Sequence, residues 1–299
     1  MMHRFEREEI STWTSLKKTA YILLPLLIYL VAHDLAEILL WAGLEFLMST
    51  FGEGLSAFLT AHAYTVQGSV NGLAMLIGVI VIRKAVKAEV SGAEKGLDRA
   101  EAQETAVQDS GLADASGQAK VTGYAFLAAL AFLVAVGVNI LFYQLGITGS
   151  SESFGNVQKA QLGVQLAAGI LLFGVISPVV EEAVFRGIIY NRLKRSFSVS
   201  IGMVISALLF GCYHGNVVQA LYGAVLGLVI AYTYELFGSF AAPVVFHSVA
   251  NISVFVMSYY EGLNHLQKPA AIGLAVGMLA AAAGILVYLK HLFKKEEKK

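Results

Sequence analysis

The chain has 299 residues, of which 57% are hydrophobic and 14% charged, with a mean hydropathy of +0.68, whereas soluble domains carry about 25% charged residues. This excludes an ordinary soluble enzyme. Lys plus Arg number 21 and Asp plus Glu 21, so the formal net charge is zero and no basic field exists to hold nucleic acid. The single cysteine, Cys212, rules out an internal disulfide framework and a cysteine-rich zinc module. With 4 Pro and 29 Gly set in long apolar runs, the chain reads as all-α, a polytopic helical membrane protein.

A spanning helix takes about 20 mainly apolar residues, and eight segments come close. They run approximately Tyr21–Met48, Tyr64–Ile82, Tyr124–Leu145, Leu162–Ile189, Val199–His214, Val217–Leu236, Ala241–Tyr259 and Ala270–Leu292. The fourth is long and the fifth short. The first exceeds the apolar core of a signal peptide and has no small-residue cleavage site, so it reads as an uncleaved membrane helix.

Positive residues near helix ends are retained in the cytoplasm. Eighteen Lys and Arg fall on one side of an eight-span arrangement and two, Lys159 and Lys268, on the other, which places both termini in the cytoplasm. Between the second and third spans lies the hydrophilic insert Lys84–Thr122, which lacks aromatic residues and cannot bury a core. It reads as a solvated cytoplasmic loop, partly helical around Ala93–Val107. The organisation is then a tail with two membrane helices (1–83), the loop (84–122), helices three to eight (123–293) with a core at about 155–260, and a charged tail (294–299). Small residues recur four apart as Gly223, Gly227 and Ala231 in the sixth span and Gly273, Gly277 and Ala281 in the eighth, which predicts close helix packing.

Ionisable side chains inside spanning helices are costly and point to function. Three helices carry them in patterned form: Glu181, Glu182 and Arg186 in the fourth, His214 in the fifth and His247 in the seventh. Glu182 and Arg186 stand four apart in the order that favours an ion pair, so they neutralise each other. Glu181 lies about 100° round the helix from Glu182 and is the acid left for chemistry. His247 and Asn251 share a face, as do Phe210 and His214. A carboxylate, two imidazoles and a carboxamide match what amide hydrolysis requires, a base for water and donors for the developing oxyanion. Converting sequence distance into helical rise, about 1.5 Å per residue, from Arg192 for Glu181, from the turn at Gly238 for His247 and from Arg195 for His214, places Glu181 and His247 at one depth and His214 much deeper. The fifth helix must then start inside the protein or tilt.

The pattern Glu-Glu-x-x-x-Arg at 181–186, Phe-x-x-x-His at 210–214 and His-x-x-x-Asn at 247–251 resembles the CPBP family, which holds type II CAAX prenyl endopeptidases and bacteriocin-processing or Abi proteins. The resemblance covers roughly Gly155–Tyr260. It implies an intramembrane protease acting on a membrane-anchored peptide or protein substrate, prenylated in the best-known case. In that reading Glu181, with His214, activates water, His247 and Asn251 form the oxyanion site, and Glu182, Arg186 and Phe210 support them. The site would face the cytoplasmic side of an integral membrane protein, in the cytoplasmic membrane if the source is prokaryotic. No cofactor is favoured. The alternative is zinc held by Glu181, His214 and His247, since a Glu and two His form a zinc ligand set, whereas Asn is a good oxyanion donor and a poor zinc ligand. Two other classes stand as rivals: a proton-coupled transporter using the same acids, and a non-catalytic membrane binding or immunity protein.

Other polar residues read as structural. His33, Asp34, Glu37 and Glu45 sit in the first span, with His33 and Glu37 on one face; Cys212 reads as core; His3, His62, His265 and His291 fall at span ends or tails.

Overall fold

A computed structural model describes residues 4–105, 113–260 and 267–296, with the side chains of 94–105, 113–120 and 294–296 left aside. Every regular element among them is helical. We label them α1 (Arg7–Ser11), α2 (Ser15–Phe51), α3 (Glu53–Ala61), α4 (Ala63–Thr105), α5 (Ala113–Gln144), α6 (Glu152–Leu162), α7 (Leu166–Ser196), α8 (Val199–Tyr213), α9 (Val217–Phe237), α10 (Ala241–Tyr259) and α11 (Lys268–Glu296). Seven of these contain segments long and apolar enough to cross a membrane, and α8 is a shorter apolar eighth. Large apolar side chains such as Ile38, Phe46, Leu208 and Val287 stay exposed on the outer surface, as lipid-facing positions require. His3, His265, residues 106–107 of the helical stretch expected in the insert, and residues 297–299 of the charged tail lie outside the described residues.

The caps follow from local chemistry. Ser198 and Asn216 accept from the N–H groups of Ile201 and Gln219 and so start α8 and α9. Gly238, at φ 61°, ends α9 in the left-handed conformation that glycine adopts without steric cost.

Two apolar clusters divide the bundle. Leu127, Leu130, Ile230, Phe246 and Ala282 join α5, α9, α10 and α11, while Tyr29, Met75, Val184, Phe185 and Phe210 join α2, α4, α7 and α8. Helix α7 belongs to the second cluster and packs on α10 of the first, so a polar group on its inner face meets both halves.

The depth mismatch expected for His214 disappears. Phe197 and Ser198 form the turn between α7 and α8, and Glu181 precedes that turn by as far in sequence as His214 follows it. The hairpin is antiparallel, as Phe185 and Phe210 show: they too stand equally far from the turn, and their rings lie 5.2 Å apart. Counting from Arg192 misleads because that side chain is fully buried and does not mark the water boundary.

In the insert the helix expected around Ala93–Val107 is present as far as Thr105, but as a continuation of α4 rather than a separate stretch, and α5 already begins at Ala113, because Ala, Glu, Lys and Gln propagate a helix well without any core of their own. Nor is its start solvated: Glu89 is wholly buried, accepting from Arg192 Nε at 2.8 Å and Tyr21 Oη at 3.0 Å, and from Arg195 on its second oxygen. Of the two small-residue stripes, only that of α9 packs closely. A Cβ at Gly223 would meet Gly211 Cα at 3.2 Å and one at Gly227 would meet Ala207 Cα at 3.1 Å, whereas nothing lies within 4 Å of Gly273 or Gly277. The buried face of α11 is instead that of Ala271, Ala275 and Ala282. Cys212 is likewise exposed rather than core.

Removing Glu89 strands two guanidinium groups, and breaking a buried ion pair from one side costs about 3–5 kcal/mol. Glu89→Gln is therefore expected to lower the melting temperature of the detergent-solubilised protein sharply. Glu235→Gln, which removes the half-exposed 2.6 Å partner of Lys194, should shift it little; equal shifts would contradict this account.

Candidate functional site

The site is built on an irregular helix. Within α7, a short α-helical segment, Ser177–Glu182, sits between two π-helical ones, Leu172–Ile176 and Ala183–Tyr190. Wide turns of this kind are rare and concentrate at functional sites. The first has a traceable cause. In its widened pairing Ser177 N–H donates to Leu172 O, so the next carbonyl, Phe173 O, would look to residue 178, a proline with no N–H. The side chain of Asn251 fills that vacancy, donating from Nδ2 to Phe173 O at 3.0 Å.

The two adjacent acids take different environments. Glu182, fully buried, accepts from Arg186 Nη1 at 3.0 Å and from His247 Nδ1 at 2.7 Å on the same oxygen, Oε1. Arg186 also donates to Gly227 O at 2.9 Å and lies over the Phe210 ring at 4.7 Å. An ionised carboxylate only accepts, so Nδ1 of His247 carries a proton. Glu181 is not unpartnered, as its helical angle suggests. Its Oε1 accepts from Ser177 Oγ at 2.6 Å, and its Oε2 stands 3.6 Å from His247 Nε2, an ionic approach longer than a hydrogen bond. The His247 ring thus lies between the two carboxylates.

His214 caps α8, and its Nδ1 donates to Phe210 O at 3.0 Å, which leaves Nε2 as the nitrogen open to chemistry. Phe210 packs edge-on against both imidazoles, with centroids 5.0 Å from His214 and 5.4 Å from His247, and fixes their spacing. Glu181, His214, His247 and Asn251 all line one cavity of about 380 Å³, a size suited to a peptide segment or small ligand. No hydrogen bond or ion pair joins His214 to Glu181 among the described residues.

Three contributors escape a search for acids, bases and histidines: Ser177, and the cavity-lining Tyr213 with its 3.3 Å hydroxyl partner Tyr29. Ser177 carried a signal, four residues before Glu181. His33 is held by Asp34 at 2.9 Å and by Asn71 at 3.1 Å, and Asn71 itself lines the cavity. Glu181, His214 and His247, the alternative zinc set, line one cavity. His214 and His247 each commit Nδ1 to a protein acceptor, a support that a metal-ligating histidine and a catalytic one share, and among the described residues no group of three or more His, Cys, Asp or Glu is arranged to hold a metal ion.

Residues 163–253 match the family model described as type II CAAX prenyl endopeptidase, Rce1-like. The resemblance to the CPBP family is borne out. The matched stretch holds all three motifs and runs from the start of α7 into α10. Over 130 residues, 44% of this chain and 52% of the relative, the sequence is 26% identical to a Bacillus subtilis (strain 168) protein named "Putative membrane peptidase YdiL". The chain therefore matches about half the length of that curated relative. No solved structure matches significantly.

The geometry separates the neighbouring acids by experiment. Gln at 181 keeps the bond from Ser177, while Gln at 182 leaves Arg186 buried without its counter-charge, at a cost of about 3–5 kcal/mol. Thermal unfolding in detergent should therefore show Glu182→Gln strongly destabilised and Glu181→Gln close to the parent; the reverse order would refute the assignment.

Proposed function

We propose that the protein is an intramembrane endopeptidase of the CPBP type, hydrolysing a peptide bond in a membrane-associated substrate. The observation that carries this reading is the convergence of one carboxylate, two imidazoles and a carboxamide on a single cavity, with the neighbouring carboxylate already neutralised by Arg186. In the proposed reaction Glu181, assisted by His214 Nε2, takes a proton from water as the water oxygen attacks the scissile carbonyl. In its doubly protonated form His247 donates from Nε2 to the developing oxyanion while its Nδ1–H is held by Glu182, and Asn251 offers the N–H not committed to Phe173. The proton on Glu181 then passes to the leaving nitrogen, the C–N bond breaks, and the remaining proton of the attacking water moves from the new carboxylic acid to the amine, so that a carboxylate and an ammonium group are released.

A prenylated tail is one candidate substrate. The detergent-purified protein, given a fluorogenic farnesylated CAAX peptide, should cleave it, and Glu181→Gln should lose activity by about 100-fold or more, the usual worth of a positioned general base. A strong chelator should leave the rate unchanged; inhibition reversed by zinc would transfer the reading to a metal-dependent protease. Full function in Glu181→Gln would favour a binding protein instead.

Charge supports cytoplasmic termini, with eighteen Lys and Arg against two. The cavity extends towards the opposite side. Thr148, Phe154, Gln158 and Gln161 of the α5–α7 connection line it, while on α7 the lining stops at Glu181 and does not reach Arg186 or Tyr190. We therefore favour a mouth on the non-cytoplasmic face over the cytoplasmic one that the sequence reading and its family resemblance implied. In a Cys212→Ser background, Gln158→Cys should react with an impermeant maleimide applied to intact cells, and Lys87→Cys only after permeabilisation. The opposite pattern would return the mouth to the cytoplasm.

A further inference from the structure

The cavity that holds Glu181 has a second chemistry. Besides Asn251, five carboxamides line it: Asn71 on α4, Asn139 on α5, Gln158 and Gln161 on α6, and Gln219 on α9. Four of the five lie outside residues 163–253 and so outside the stretch shared with the protease family. Asn139 is placed within an otherwise apolar span, Val121–Gln144. A polar side chain at that position is costly unless it faces a partner or a wet cavity.

Several of these amides have little to bind within the protein. Asn71 is engaged by His33, and Gln219 by Asn216. For Asn139, Gln158 and Gln161 no hydrogen-bond partner is found among the described residues, and none of the three is fully buried. Each offers two donors and an acceptor towards the cavity. Apart from Glu181 and the two histidines, the described lining carries no ionisable side chain other than tyrosine.

We propose that this carboxamide wall binds the main chain of an extended, uncharged polypeptide segment and so selects the substrate of the endopeptidase; the inference rests on that functional reading. An extended segment drawn into a membrane must satisfy its N–H and C=O groups there. A wall of side-chain amides matches that alternation of donors and acceptors, as an added strand does in peptide recognition. A charged side chain lying against the carboxamides, away from Glu181 and the histidines, would find no counter-ion in the lining, so the wall discriminates against it. Asn139 and Gln161 act as specificity-determining residues; neither takes part in proton transfer.

The test uses an end-blocked hexapeptide of Ala, Leu and Val bearing an uncharged fluorophore, its backbone N-methylated counterpart, and a copy with one Lys. Binding is measured by fluorescence anisotropy to full-length Glu181→Gln protein in lipid nanodiscs, which separates binding from turnover. The neutral peptide should bind, and the methylated and Lys-bearing peptides should bind about tenfold or more weakly. Adding Asn139→Leu should weaken the neutral peptide by about three- to tenfold, the worth of one lost hydrogen bond, and should reduce the penalty of N-methylation. Gln161→Met provides the same comparison if Asn139→Leu does not fold.

Unchanged affinity in both well-folded variants, equal binding of all three peptides, or no binding of the neutral peptide would overturn the proposal. Turnover by the Glu181-containing protein tests the underlying reading separately. Cleavage with KM unchanged by Asn139→Leu keeps the protease and removes the wall. Binding lost in Asn139→Leu, with no cleavage of any peptide by the parent, keeps the wall and removes the protease.

Discussion

One buried carboxylate organises the molecule. Glu182 holds Arg186 on its own helix and His247 on α10 through a single oxygen, so it joins the two apolar clusters at the place where they meet. A charge in such a position is tolerable only if paired and hydrogen-bonded. The pairing is not complete: Glu182 Oε2 and Arg186 Nε are buried without hydrogen-bond partners among the described residues. The protein gives up stability here to fix a histidine, and that histidine then faces Glu181.

The arrangement assigns a division of labour between neighbouring residues of the same type. Glu181 and Glu182 are adjacent in sequence, yet one lines the cavity and the other lies behind it. His214 and His247 likewise differ. The former commits Nδ1 to its own helix and keeps Nε2 open, whereas the latter is bridged towards both acids. Phe210, touching both rings and the guanidinium, sets the distances among them without any polar atom.

Much of this was legible beforehand, because membrane helices announce themselves by length and hydropathy, and an i,i+4 ion pair by spacing. Glu182 with Arg186 is such a case. What escaped depends on departures from regular winding or on contacts distant in sequence. The bond from Ser177 to Glu181 follows from i,i+4 spacing in a regular helical segment, whereas the approach of His247 to Glu181 comes from a helix distant in sequence, which a helical angle does not foresee. The pairing of Glu89 with Arg192 and Arg195 spans more than a hundred residues, and without it Arg192 reads as a water-exposed depth marker. The stripe in α11 has the same spacing as that in α9, yet only the neighbouring helix decides which one is packed. Asn139 was passed over because a neutral amide does not register among ionisable residues.

Pro178 and Asn251 stand on different helices, far apart in the chain, but form one mutational unit. The proline withholds a main-chain donor from Phe173 O, and the asparagine supplies it. Replacing only the proline would return a backbone N–H to that carbonyl and release the carboxamide; replacing only the asparagine would strand the carbonyl in an apolar interior. Relatives that lose one are thus expected to have changed the other, a covariation set by a single hydrogen bond.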